Sequence, residues 1–201
     1  SFAELGAEQF DAAVTILDDP HGALPFDTEG TPRSPVTLVR DGVTVGVTHD
    51  RSSAAEAVAA GQPGATSTGH GSPASRSWGP IATHPRLVAA AGSPPAGRSG
   101  GPVAESARPL VAGVERGLLV TDLWYTRVLD QKSLVITGLT RNGVWLIEDG
   151  EVTAAVGNMR FTQSYPQALG PGAVRGIGTE AILLPERGTG APPRRAGPVG
   201  V

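Results

Sequence analysis

The chain has four histidines, His21, His49, His70 and His84, and no two lie three to five residues apart. A zinc-hydrolase helix needs two imidazoles one turn apart, with a carboxylate beside the first to activate water. Neither H-E-x-x-H nor H-E-x-x-x-H occurs. There is no cysteine, which removes disulfides, thiolate nucleophiles and every Cys-containing metal site. His49 is followed by Asp50, but neighbours on a strand point to opposite faces, so the pair reads as a loop in which Asp50 starts a helix. The stretch Ser67, Thr68, Gly69, His70, Gly71 carries more. Glycines on both sides of His70 let the backbone approach a ligand or another chain closely, and Thr68 and His70 offer polar groups. A phosphate cradle would need a following helix, whereas Pro73 follows here, so the plainer reading is a packed turn. G-x-S-x-G is missing, and the acid pairs Asp18-Asp19 and Glu148-Asp149 sit at the ends of apolar runs, where carboxylates read as soluble caps. The residues alone assemble no catalytic set.

The elements that would position these residues are mostly strands. Leu38 to Val47 and Leu146 to Val156 are written alike: an apolar run, an Asp-Gly step, then a second run. Asp41-Gly42 and Asp149-Gly150 suit two-residue type I′ turns, because both positions need positive φ. In the first hairpin Val36, Leu38 and Arg40 alternate with Thr37 and Val39, and Val43, Val45 and Val47 should share one face of the return strand. A third turn candidate, Asn142-Gly143, predicts a meander of three runs from Ser133 to Val156. Gly117 to Leu129 is rich in β-branched and aromatic residues and reads as another strand. Leu110, Val111 and Val114 have helical spacing with Gly117 as a stop, and the alanine-rich run after His49 predicts a helix ending at Gly61. The expectation is a β-dominated α+β fold, an antiparallel sheet with hairpins and a meander plus two or three short helices.

A length of 201 residues fits one domain able to bury a core. Sixteen basic against nineteen acidic residues, a formal net charge of -3, leave no basic footprint for nucleic acid. No run approaches the roughly 18 apolar residues that span a bilayer, and the first ten residues lack the pattern of a signal peptide. The reading is a soluble, cytoplasmic chain without a membrane segment; a start at Ser1 leaves room for a longer protein. The 28 glycines and 18 prolines are concentrated. Between residues 61 and 109 they break every window for a strand or helix, with a flexible loop expected around 93–102. From Pro185 apolar periodicity ends, which divides the chain into an ordered domain, 1–184, and a disordered tail, 185–201.

Several separated motifs then fall in a familiar order: F-D-x-E-G (from Phe26), the Asp41-Gly42 hairpin, S-T-G-H (from Ser67), the strand V-T-D-L-W-Y-T-R (from Val120) and W-L-I-E-D-G (from Trp145). Over residues 14 to 169 this resembles the C-terminal domain of the TldD/PmbA family of metallopeptidases, on its PmbA (TldE) side. The resemblance implies a cytosolic zinc peptidase that cleaves unstructured peptides and is built as a heterodimer. In it the TldD-like catalytic subunit carries H-E-x-x-x-H and a downstream cysteine as zinc ligands. This chain has neither, so the resemblance implies the non-catalytic partner, with no cofactor of its own and zinc in the other subunit. The alternative is a stand-alone peptide- or protein-binding structural module. In either case Trp124, Tyr125 and Arg127, of the types that anchor interfaces, and the Ser67, Thr68, Gly69, His70 stretch are the candidate contacts to peptide or partner.

Overall fold

A computed structural model describes residues 4–20, 24–88 and 107–178, together with the backbone of three short strands beyond them. In chain order the elements are β1 (Thr15–Asp18), β2 (Val36–Arg40), β3 (Val43–Thr44), α1 (Arg51–Ala59), α2 (Ser75–Trp78), β4 (Pro85–Val88), α3 (Arg108–Ala112), β5 (Arg116–Asp130), β6 (Val135–Glu148), β7 (Glu151–Val156), β8 (Arg160–Ser164), α4 (Tyr165–Ala168), β9 (Gly176–Ile177), β10 (Ile182–Leu184), β11 (Arg194–Ala196) and β12 (Val199–Gly200). Every described strand pair is antiparallel. The fold is the expected β-dominated α+β, with four short helices among the described residues where two or three were expected. None of the described helices is long and apolar enough to cross a membrane.

The first sheet has the order β3-β2-β1-β4. Its core is small: Val14, Val39 and Ile177 are buried together, with Phe10, Ile16 and Leu87 packed against them. Each fully buried side chain of this size contributes roughly 1.5–3 kcal/mol. The first hairpin turns as its sequence requires, with Asp41 at φ 48° and Gly42 at φ 83°. Its return strand differs from the expectation. Thr44 is buried and Val45 is exposed, because Val45 N and Gly46 N both donate to Leu38 O, at 2.9 and 3.2 Å, and the strand bends away after two residues. Gln9 Oε1 accepts from the Thr44 hydroxyl at 2.9 Å, which satisfies the buried oxygen.

The second sheet is built around β6, which pairs with β5 on one side and with β7 and β8 on the other. The expected meander is corrected here. Val135 to Glu148 is one strand, and Asn142 (φ 60°) and Gly143 (φ 131°) form a bulge inside it. Val120 pairs with Val144 and Asp122 with Arg141, so two residues of β6 face Thr121 alone. The fifteen-residue β5 gives both halves of β6 a continuous partner, which makes a bulge cheaper than a turn. The hairpin that joins β5 to β6 turns at 131–134 instead, where Asp130 accepts from Lys132 N at 3.0 Å and Leu134 takes φ 50°. Asp149-Gly150 does turn as expected, between β6 and β7.

Two other stretches differ. The Gly- and Pro-rich segment holds α2, a single turn fitted between Pro73 and Gly79, and β4. Pro85 is tolerated because it is the first residue of a strand at the end of the sheet. α3 stops at Gly113, not Gly117. The expected loop around 93–102 lies outside the described residues. So does most of the expected tail, apart from the backbone of β11, paired with β10, and of β12, paired with β9.

The second Asp-Gly turn docks as well as turns. Asp149 N donates to Glu115 O at 2.7 Å and Gly150 N to Val114 O at 2.9 Å. A Cβ on Gly150 would lie 2.9 Å from Ala112 O, whereas Gly61, also at positive φ, has open space around it. Alanine at either position costs roughly 1–2 kcal/mol for its backbone conformation. Gly150→Ala should therefore lose clearly more stability than Gly61→Ala in urea denaturation at unchanged m value; equal losses would show that the fit against Ala112 does not matter.

Candidate functional site

Asp18 ends β1, and its side chain is fully buried. Its Oδ2 lies 2.9 Å from His70 Nε2, and neither side chain reaches solvent. Its Oδ1 accepts from the backbone N–H of His84 at 2.5 Å, which ties the start of β4 to the same carboxylate. On the other side of the ring, His70 Nδ1 lies 2.8 Å from Thr68 Oγ1 and 3.0 Å from Thr68 O. The Thr68 hydroxyl also accepts from His49 N at 2.8 Å and sits 3.1 Å from His49 O. This acid, imidazole and hydroxyl series has the membership of a hydrolase triad. Its acid and imidazole have no access to solvent, and the partly buried hydroxyl is already committed to the backbone of His49, so it acts as a clamp between loops.

The glycines of the stretch are explained by the same packing. At Gly69 (φ 77°) a Cβ would meet Pro32 O at 2.5 Å, and at Gly71 it would meet Asp27 Oδ2 at 2.8 Å. Asp27 gathers its own loop, accepting from Glu29 N at 2.9 Å and Thr31 N at 2.8 Å, and reaches across to Gly71 N at 2.7 Å. Glu29 Oε2 accepts from Arg51 N at 2.9 Å, placing a carboxylate at the N-terminus of α1, where the helix dipole favours it. Asp50 caps that helix as expected, accepting from Ser53 N at 2.7 Å while Asp50 N donates to the Ser53 hydroxyl at 3.0 Å. Ser67 completes the turn: its hydroxyl lies 3.4 Å from His49 O and accepts from Gly69 N at 3.4 Å.

Burial pushes the Asp18 carboxyl up, but the His70 hydrogen bond, the His84 N–H and the nearby imidazoles outweigh it and hold Asp18 below its ordinary value. Asp27 follows the same balance: burial raises it, and the N–H groups of Thr31, Gly71 and Glu29 with the Arg33 charge bring it down. The reading of Asp18-Asp19 as soluble caps is therefore corrected. Asp18 is the buried anchor, and Asp19 pairs with Arg86 at 2.6 Å.

Trp124, Tyr125 and Arg127 sit elsewhere, on β5. Trp124 is half-buried and Tyr125 is 60% exposed, but a bulge at Tyr125 breaks the expected alternation. Tyr125 takes φ 54° in a bulge, since Trp124 pairs with Leu139 but Arg127 with Thr137. The Arg127 guanidinium stacks on the Tyr125 ring, 4.3 Å from its centroid, and also reaches the Tyr125 hydroxyl. Arg141 lies 5.2 Å from the Trp124 ring centroid. The two candidate sets thus lie apart, one in a loop clamped to the end of β1 in the first sheet and one as an exposed surface of the second. Sequence reasoning missed Asp18, Asp27, Glu29 and Arg141. Asp27 and Glu29 had a signal in F-D-x-E-G, whose Asp precedes two residues that its side chain can bond.

The model of the PmbA/TldA metallopeptidase C-terminal domain matches residues 1–199. The chain belongs to that family. Among solved structures, this PmbA/TldA-type domain is similar to TldE from Thermococcus kodakarensis, with 20% identity, 96% of this chain and 39% of that one covered, and a TM-score of 0.66. It is also similar to a candidate DNA gyrase modulator from Thermotoga maritima MSB8 (19% identity, 88% and 36% covered, TM-score 0.64). A second candidate modulator, from Bacteroides thetaiotaomicron VPI-5482, gives 22% identity, 88% and 34% coverage and a TM-score of 0.58. These likenesses show the fold, and the chain spans between 34% and 39% of those proteins. No curated protein matches the sequence.

A catalytic zinc needs three protein ligands and an open position. Among the described residues no group of three or more His, Cys, Asp or Glu is placed to hold a metal ion. His70 uses both ring nitrogens in the clamp, while His49 Nδ1 lies 3.3 Å from the Ser53 hydroxyl and His84 Nδ1 2.9 Å from that of Thr83. The described residues do not fit a peptidase zinc. Metal analysis after dialysis without chelator should find far less than one zinc per chain; stoichiometric zinc that His49→Ala or His70→Ala abolishes would overturn this.

The clamp also sets a pH dependence. A carboxyl whose folded value is depressed adds stability that is present above its unfolded value, about pH 4, and is lost as pH falls through the lower folded value. Asp18→Asn should cost about 3–5 kcal/mol at neutral pH, by leaving His70 with a weaker partner in a buried site. Its stability should also fall less steeply than wild type as pH is lowered below about 4. Parallel curves in denaturant titrations would remove Asp18 from the account.

Proposed function

We propose that this domain belongs to the non-catalytic, TldE-like subunit of a cytoplasmic zinc metallopeptidase, and that it helps a TldD-like catalytic subunit hold unstructured peptides for cleavage. The observation that carries the reading is the use of the histidines in a chain of this metallopeptidase family. The S-T-G-H motif is spent on a buried clamp, and the described residues offer no set of metal ligands. The domain's part is then to shape and to bind. The zinc that activates water would be held by the partner, and no step of the hydrolysis falls to a side chain of this chain.

β5 supports the binding role. It ends its sheet, so among the described residues its outer backbone groups face no strand, and Leu118, Leu123, Tyr125, Val128 and Leu129 are exposed along it. An extended peptide can add to such an edge through main-chain hydrogen bonds, which tolerate many sequences. From Arg116 to Trp124 β5 itself carries no extra residue; beyond Trp124 it bulges, which restricts pairing to the first part. The same exposed side chains would serve a stand-alone binding module, and co-expression separates the two readings.

With a TldD-like partner present, cleavage of an unfolded peptide should require both chains. Trp124→Ala, Tyr125→Ala and Arg127→Ala should each reduce either association or cleavage by about fivefold or more, in line with loss of an interface anchor. Unchanged association and cleavage in all three would leave β5 as scaffold, and association without any gain in cleavage would favour the binding module.

A further inference from the structure

Residues paired directly across an antiparallel sheet share a face. Trp124 pairs with Leu139 and Leu139 with Arg160, so these three share one face of the second sheet. Thr137, two residues from Leu139 on a regular stretch of β6, lies on that face and pairs with Arg127 on β5 and Thr162 on β8. Arg141 reaches the Trp124 ring and so belongs to it too. The opposite face at this level is filled by Phe161 against Gly138, where a Cβ would lie 2.7 Å from the ring. Arg127, Arg141 and Arg160 are all exposed, and Leu139 beside them is 37% exposed.

We propose that this face, with Arg127, Arg141 and Arg160 set around Trp124, docks an extended polypeptide segment that carries acidic side chains. Strand spacing and rise put the three arginines over roughly 10 Å across the strands and 13 Å along them. The long dimension matches carboxylates on one side of an extended chain, which recur every second residue. Stacking fixes the plane of a guanidinium over a ring and leaves its N–H edge for a carboxylate, which it meets through two parallel hydrogen bonds. Arg127 over Tyr125 and Arg141 over Trp124 are held in this way. Two carboxylates share the face: Asp122 lies directly across from Arg141 and accepts from Asn142 Nδ2 at 2.7 Å, and Asp130 accepts from the turn at Lys132 and Ser133, which leaves Arg127 and Arg160 as the arginines not set opposite an acid. A single-stranded nucleic acid also stacks on aromatics beside arginines, but a chain of net charge -3 offers little to a phosphate backbone. The inference goes beyond the proposed function, because it concerns binding by this chain alone, with neither zinc nor partner.

The test is fluorescence anisotropy on the full chain with a short labelled peptide bearing Asp or Glu at alternate positions between Gly and Ser. The comparison ligands are the same peptide with Asn and Gln, and an oligothymidine. The acidic peptide should bind and weaken as salt rises. The amide peptide should bind about tenfold more weakly or worse, and Arg127→Gln combined with Arg160→Gln should weaken the acidic peptide by a similar factor. Both side chains are exposed, so the double variant should keep the wild-type melting temperature; a fallen one moves the comparison to the single variants Arg127→Lys and Arg160→Lys, which should retain part of the binding. Equal binding of the two peptides, indifference to the arginine substitutions, tighter binding of the oligothymidine, or no binding of the acidic peptide would each overturn the proposal.

Discussion

The imidazole of His70 and the carboxylate of Asp18 meet at 2.9 Å with no solvent at either side chain, and the loops of the first sheet are arranged around that meeting. Burying two such groups is costly, and it succeeds only when the remaining donors and acceptors also find partners. Here they do, through His84 N on one side and Thr68 on the other. Each partner belongs to a different segment, so satisfying this one buried contact places the start of β4, the turn from Ser67 to Gly71 and, through Thr68, the backbone of His49. The next layer extends from there: Gly71 holds Asp27, the loop of Asp27 presents Glu29, and Glu29 meets the first turn of α1. With an apolar cluster as small as Val14, Val39 and Ile177, this polar framework does much of the specifying that a larger core would do elsewhere.

What could be read in the sequence was local. The Asp-Gly turns, the Asp50 cap and the strand character of β5 depend on residues adjacent in the chain, and all three appear in the structure. Asn142-Gly143 went the other way because its two positive φ angles suit either a turn or a bulge, and the choice lies with β5, some twenty residues upstream. Asp18 was illegible for a stronger reason. A carboxylate at the end of an apolar run looks solvated until the histidine 52 positions later is known to sit on it. The candidate site divides in the same way: Trp124, Tyr125 and Arg127 could be named from residue type and alternation, whereas Arg141 and Arg160 join them only through cross-strand register.

The two sheets divide the labour of the domain. The first is fastened by short charged and polar contacts that leave little freedom, and the second offers aromatic rings, aliphatic side chains and guanidiniums to solvent. Such an edge invites unwanted pairing with other chains. Two irregularities that put an extra residue on β5, between Trp124 and Arg127 and between Val128 and Asp130, interrupt it. They twist the ladder and limit the length over which a second strand could run in register, so a long exposed strand coexists with restricted access.

The Asp11 carboxylate accepts from Gly172 N, 161 positions away, and Asp11 N donates to Leu169 O. Ile177 joins Val14 and Val39 in the same cluster. The pairings of the second sheet, by contrast, close within the stretch from Arg116 to Ser164. During synthesis from the N-terminus, β1 and β2 therefore emerge first but wait for nearly the whole chain before their core can be sealed, while the second sheet has all its strands in hand earlier. The oldest part of the nascent domain is the last to be finished, and for that interval its valines remain open to water and to other chains.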